Sequence, residues 1–380
     1  MVQLTEEMLR YTEASQQELE ELILTLCRIP APSHQEDARA AFCLDWFQKA
    51  GGKDVCIDEA KNVVCRWNAG ADKPLLIFMA HTDTVFPDLE PMEPVVEADK
   101  IYCPGVGDDT ANLAVLMLAA RYILQHDIAS DYEVLFVANS CEEGLGNLKG
   151  SRQLMRDYAS RTAAVISFDG YMQGISNRAV GSARYKVTLR TEGGHSYGSF
   201  GNRNAIHLLA SMITTLYDIK IPDGLGRTTY NVGLIEGGTS VNTIAQNASM
   251  LYEYRSDDRK GLAFMKNAFE KVVEAYRAMD IPVEVELIGE RPCSGTPDPE
   301  KMRALEETAS AVIRTYGGMN PGFGAGSTDC NIPLSMDIPA ICPGVVTGGK
   351  AHTREEFIDR DSLGPGLKVG LSLMLSLLKM

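Results

Sequence analysis

The chain has 380 residues, 45% of them hydrophobic and 23% charged, and a formal net charge of −15. This is ordinary globular composition with core material for one or two domains. The acidic balance and the lack of a basic stripe exclude a nucleic-acid binder, and no apolar run is long enough to span a membrane.

The N-terminus, MVQLTEEMLRYTEASQQELEELI, is acidic and helical in pattern. It lacks the basic start and apolar stretch of a secretion signal. The nine cysteines are scattered without a C-x-x-C spacing, which disfavours a cysteine zinc site. An odd count with no secretion signal points to reduced thiols and a cytoplasmic protein.

Helices are predicted over 17–28 and 36–50, before short strands around Val55 and Val63. The apolar segment 75–80 reads as a strand, followed by a loop rich in Pro and acid, then a helix from Thr110 to Gln125. Strand 133–139, a helix around Arg152–Tyr158 and strand 163–168 follow. Apolar runs bounded by helices predict an α/β fold, a mixed, mostly parallel sheet with helices on both faces.

The pattern changes near Gly181. Strand 184–191, helix 202–218, strands 228–236 and 247–255, helix 260–279 and strand 282–289 follow. That order, βαββαβ, is a ferredoxin-like α+β unit. After Arg291-Pro292 come a helix over 299–316, an apolar strand over 339–346 and a closing core helix. The expected organisation is a discontinuous catalytic domain, 1–180 and 291–380, with an inserted domain at 181–290.

Acids and imidazoles gather where these strands end, where α/β folds collect ligands. His81 and Asp83 follow one strand and Glu142-Glu143 a second. Asp169 follows a third, and His352 lies beyond the late apolar run. Asp108-Asp109 sit in GVGDD, before a helix. Each group alone has a plain explanation: a structural histidine, a charged loop, or Asp109 capping the helix. Together they form the inventory of a two-metal hydrolase: imidazole and carboxylate ligands, a bridging acid and a spare Glu as base. On the residues alone, Glu142 and Glu143 could exchange roles, as could Asp108 and Asp109.

The motifs HTDTV, GVGDD, CEEG, SFDG, GGHS and AHTREEF resemble a dizinc exopeptidase and deacylase family. It includes peptidase T, carnosine dipeptidase, aminoacylase, glutamate carboxypeptidase, acetylornithine deacetylase and succinyl-diaminopimelate desuccinylase. The resemblance spans nearly the whole chain. It implies two Zn2+ per subunit, with Co2+ or Mn2+ as alternatives. His81 and Asp169 would hold one ion, Glu143 and His352 the other, and the Asp108 carboxylate would bridge them, with a cis peptide linking Asp108 to Asp109. Asp83 would orient the His81 ring, and Glu142 would be the general base for zinc-bound hydroxide.

The inserted domain would dimerise the protein and bring His195 to the partner's oxyanion. Asn242 would reach substrate or oxyanion, and Arg255 the substrate carboxylate, unless it merely pairs with Asp257 or Asp258. Gly326 and Ser327, in GAGSTDC, would lie near substrate. Two departures stand out: Thr110-Ala111 replaces the usual Lys-Gly or Lys-Ala, and Asp169 stands where many deacylases carry Glu. The Asp favours di- or tripeptides as substrate over N-acyl amino acids. A silent metal-binding scaffold is the reading from another class, and the presence of Glu142 weighs against it. No G-x-S-x-G elbow marks a serine hydrolase.

Overall fold

The computed structural model describes residues 1–379 and divides into two units, Met1–Ala179 with Gly295–Met380, and Val180–Ser294. In the larger unit the strand Leu75–His81 lies between Glu133–Asn139 and Thr162–Ser167, parallel to both. Ala340–Pro343 continues the parallel set beside Thr162–Ser167. Val63–Trp67 and then Asp54–Ile57 are added antiparallel on one flank. On the other flank Gly174–Ala179 runs antiparallel to Ala340–Pro343, and Gly322–Gly326 runs parallel to Gly174–Ala179. The result is a mixed eight-stranded sheet with its parallel strands at the centre.

Leu75–His81 and Glu133–Asn139 are buried at every residue, which requires cover on both faces and explains their unbroken apolar runs. The helix Ala111–Gln125 is apolar nearly all round and almost wholly buried, as a core helix must be. It packs against Gln16–Cys27 and the closing helix Leu363–Leu377.

A small antiparallel sheet joins Val95–Val96, Lys100–Tyr102, Phe357–Asp359 and Gly348–Gly349. It sets the loop after Tyr102 beside the loop before Phe357. Neither this sheet nor the strands Gly174–Ala179 and Gly322–Gly326 were predicted, since these segments are short or Gly- and polar-rich and lack alternation. The apolar segment 339–346 yields a strand only at Ala340–Pro343, because Val345 N turns to the side chain of Asn112 at 2.9 Å. The helix predicted over 299–316 is regular over Pro299–Val312 and widens in its last turn.

The smaller unit is a four-stranded antiparallel sheet in the order Thr228–Gly237, Asn247–Ser256, Gly181–Arg190, Val283–Arg291. With helices Ala205–Tyr217 and Arg259–Ala278 this is the βαββαβ order expected. Asn204 and Asp258 cap those helices through their side chains. The unit has its own core around Val187, Leu209, Met250 and Phe269. Its first and last strands are neighbours, with Ser182 opposite Arg291. Among the described residues, no helix is long and apolar enough to cross a membrane.

Candidate metal centre

The parallel strands deliver the chemistry. His81 ends Leu75–His81 opposite Asn139. Three residues past Asn139 the chain reaches Glu142, and two past Ser167 it reaches Asp169. The small sheet brings in the other two loops, carrying Asp108 and His352. Among the described residues three groups of potential ligands result, each with its atoms within 4.8 Å of one another: His81–Asp108–Asp169, Asp108–Glu143–His352 and His81–Glu142–Glu143.

Asp108 links the first two groups. Its Oδ1 is 3.0 Å from His81 Nε2, and its Oδ2 is 3.1 Å from His352 Nε2. His352 Nε2 is also 3.2 Å from Glu143 Oε1. The peptide between Asp108 and Asp109 is cis. Asp109 faces away from the ligand groups: its Oδ2 accepts the His81 N–H at 2.9 Å and its Oδ1 accepts from Asn112 Nδ2 at 2.7 Å. It does not cap the helix.

Asp83 holds the site from behind. Its Oδ1 accepts the Glu142 N–H at 2.9 Å; its Oδ2 accepts the Glu143 N–H at 3.0 Å and the Ser33 hydroxyl at 2.6 Å. The shortest contact to His81 Nδ1 is made by the Asp83 carbonyl at 2.9 Å, with Oδ1 at 3.5 Å. Asp83 thus meets the His81 ring chiefly through its main chain.

The electrostatics are those of crowded acids. Burial, then the charge of Asp108, pushes Asp169 up to about 7. Burial also raises Glu143 and Asp109. Burial opposes ionisation of Asp108 too, but hydrogen bonds from His352 and His81 hold its carboxyl below the usual range. Hydrogen bonding to Asp108 and Glu143 pushes His352 up to about 11. Glu143 Oε1 is buried and accepts no well-aligned hydrogen bond, although His352 is close. A divalent cation satisfies this set, because it neutralises several carboxylates at once and uses the nitrogen and oxygen lone pairs facing inward.

Three residues that the sequence reading passed over support the centre. Asn112 spends its whole amide: Nδ2 donates to the carbonyls of Gly107 and Gly170 and to Asp109, and Oδ1 accepts from Val345 N. A lone Asn in the apolar stretch TANLAVLM was the available signal. Ser33 ties the segment 31–36 to Asp83. Glu356 binds the main chain around Asp108. Glu356 lies inside the motif AHTREEF, which assigned it no role, and no local pattern marked Ser33.

The other expected site residues fall into two places. Gly326 ends the strand Gly322–Gly326, and Ser327 follows it; neither belongs to the ligand groups. Two residues on, buried Asp329 accepts a hydrogen bond from Asn139. In the smaller unit, His195 and Asn242 lie together. His195 pairs with Thr243 across a two-residue ribbon, and the Ser196 N–H donates to the Asn242 carbonyl at 2.9 Å. His195 is exposed, and its Nδ1 accepts N–H groups of Tyr197 and Gly198 at 3.3 and 3.2 Å. Arg255 forks onto Glu253, Nε to Oε1 at 2.9 Å and Nη2 to Oε2 at 3.1 Å, rather than onto Asp257 or Asp258.

The sequence matches the family model for Peptidase family M20/M25/M40 over residues 77–376. The succinyl-diaminopimelate desuccinylase of Nitrosomonas eutropha is 25% identical over 299 residues, covering 74% of this chain and 76% of that protein. The crystal structure of a tripeptidase from Staphylococcus aureus matches with a TM-score of 0.77 at 24% identity, covering 96% of this chain and 99% of that one. A Bacillus subtilis protein, described as a dinuclear metal binding peptidase, matches with a TM-score of 0.64 at 15% identity, covering 97% and 99%. At these identities the structural likenesses bear on the fold alone.

Proposed function

The chain belongs to Peptidase family M20/M25/M40, and from that premise we propose that it is a two-metal hydrolase of amide bonds in di- and tripeptides. The observation that carries this reading is Asp108, with one carboxylate oxygen toward His81 and the other toward His352. His81, Asp108 and Asp169 would hold one ion, and Asp108, Glu143 and His352 the other. Zinc suits this nitrogen and oxygen set, and cobalt or manganese are alternatives. When bound, the ions polarise the scissile carbonyl and lower the pKa of the attacking water toward about 7.

The protein's own groups do the rest. Glu142 takes the proton from water and returns it to the leaving amine. Asp83 fixes the Glu142-Glu143 main chain and the His81 ring, so base and ligands keep their spacing. Two N–H groups donate to His195 Nδ1, so its proton sits on Nε2, which makes it a hydrogen-bond donor. In a homodimer that donor would serve the oxyanion in the partner's site, beside Asn242. Arg255 would bind the substrate carboxylate in competition with Glu253.

Deacylation of N-acyl amino acids is the second reading, favoured by the relative named for desuccinylation. Asp169, standing where many deacylases carry Glu, favours peptides. The deciding experiment incubates the zinc-loaded protein with pooled di- and tripeptides and N-acyl amino acids and reads the products by mass spectrometry. Cleavage of acylated substrates alone would replace the first reading with the second. Cleavage of neither, with two metals bound, would leave a silent scaffold.

A further inference from the structure

We propose that Glu356 is a positioning residue that sets the distance between Asp108 and His352. The inference rests on the reading of these two residues as metal ligands. The Glu356 carboxylate is fully buried and accepts three main-chain N–H groups from the loop that carries Asp108. Gly105 N donates to Oε2 at 2.7 Å; Gly107 N and Asp108 N donate to Oε1 at 2.8 Å each. One of the three is the amide of Asp108 itself, so its main chain is held at the residue whose side chain faces both histidines. The Glu356 carbonyl accepts the Cys103 N–H at 3.1 Å, which grips the same loop at its start.

The other end of the brace is short. His352 lies four residues before Glu356, and the intervening turn is closed by Thr353 N to the Lys350 carbonyl at 3.1 Å and Glu356 N to the Thr353 carbonyl at 3.3 Å. Movement of the Asp108 loop is therefore transmitted to the His352 loop through the Glu356 side chain, in addition to the main-chain pairing of Tyr102 with Phe357.

The loop is shaped to receive the carboxylate. Gly105 has φ +76°, and a Cβ on Gly107 would meet Tyr171 Cε1 at 2.8 Å and Glu356 Oε1 at 3.2 Å. A carboxylate offers about four lone-pair sites, whereas an amide has a single accepting oxygen and an NH2 that cannot accept. Gln at 356 would match the shape yet leave at least one N–H facing another donor.

The test uses full-length E356Q, with E355Q as control because Glu355 is exposed and pairs only with Lys350 among the described residues. Circular dichroism reports folding, chelator competition reports metal affinity, and visible absorption of the Co2+-substituted protein reports ligand geometry. We expect E356Q to fold, to lose about 10–100-fold in metal affinity, to shift the cobalt spectrum, and to lower kcat more than it changes KM. E355Q should match the unmodified protein in each. Folded E356Q with unchanged metal affinity and cobalt spectrum overturns the proposal.

Amide hydrogen exchange on the unsubstituted, metal-free protein decides the matter if E356Q does not fold. Slow exchange at Gly105, Gly107 and Asp108 without metal supports the brace. Fast exchange that slows only on metal addition overturns it, since the metal would then be ordering the loop. Metal content of E142A tests the underlying ligand reading separately.

Discussion

Asp83 and Glu142 are joined by a 2.9 Å hydrogen bond from the Glu142 N–H to Asp83 Oδ1. The proposed base is thus tied through its main chain to the residue whose carbonyl meets His81. Replacing Asp83 with Asn puts an NH2 where the Glu143 N–H and the Ser33 hydroxyl now donate. D83N should lose about 10–100-fold in metal affinity or activity, measured by chelator competition and steady-state kinetics.

E142A separates base from ligand. General-base loss should lower kcat by about 10²–10⁴-fold, while elemental analysis still finds two metals per subunit. Equal loss of metal and activity would exchange the roles of Glu142 and Glu143.

H195A removes a donor without touching the ligand groups. Loss of one oxyanion donor costs about 3 kcal/mol, or 10²–10³-fold in kcat, with zinc retained. Mixing H195A with E142A should restore part of the activity if the histidine acts across a dimer. No recovery, with subunit exchange demonstrated by mass, rules that geometry out.

Proton release accompanies metal uptake. In the metal-free protein, hydrogen bonds to Asp108 and Glu143 hold His352 protonated up to about 11. Burial works against a proton on His81, but Asp109, Asp108 and Asp83 outweigh it and raise that group as well. A ligand must give up its proton to bind, so affinity should rise with pH, and calorimetry in buffers of different ionisation heat should show protons released. The sign for folding follows from the raised His352 value: its contribution is complete below about 6.5 and is lost as pH climbs toward about 11. Metal-free protein should therefore lose melting temperature on alkalinisation more than metal-loaded protein does.

Glu133 predicts the acid limb. Its buried side chain lies 3.0 Å from Arg161 and 2.7 Å from Arg66. Burial alone would raise the carboxyl, but those bonds keep it below its ordinary value. A lowered folded value stabilises above the unfolded pKa and stops doing so as pH falls through the folded one. E133Q should cost about 1–3 kcal/mol near neutral pH and flatten the loss of stability in acid, as read by urea titration at several pH values.

How far the sequence carries depends on the range of each signal. Strand Glu133–Asn139 was legible to the residue because its interior VLFVA is an unbroken apolar run with polar residues at both ends. His81, Asp108, Glu143, Asp169 and His352 were legible as candidates because each follows an apolar run or a Gly-rich turn, and the structure brings them together. The small sheet stayed hidden because two-residue strands such as Val95–Val96 have no period to detect. Ser33 stayed hidden, and Glu356 was visible within AHTREEF but without a role, because their partners are distant in the chain and are mostly main-chain atoms, which leave no trace in side-chain pattern. The inserted unit runs to Ser294 rather than 290, since periodicity marks element interiors better than it marks where a chain passes between units.

The pairing of Ser182 with Arg291 has an architectural consequence. Neighbouring strands bring the stem positions of the insertion about 5 Å apart, so the host polypeptide sees little more than a gap that a short Gly-Ser linker could bridge. A gene encoding 180–294 alone should yield an independently folding module, and one lacking it should yield a host that still binds metal.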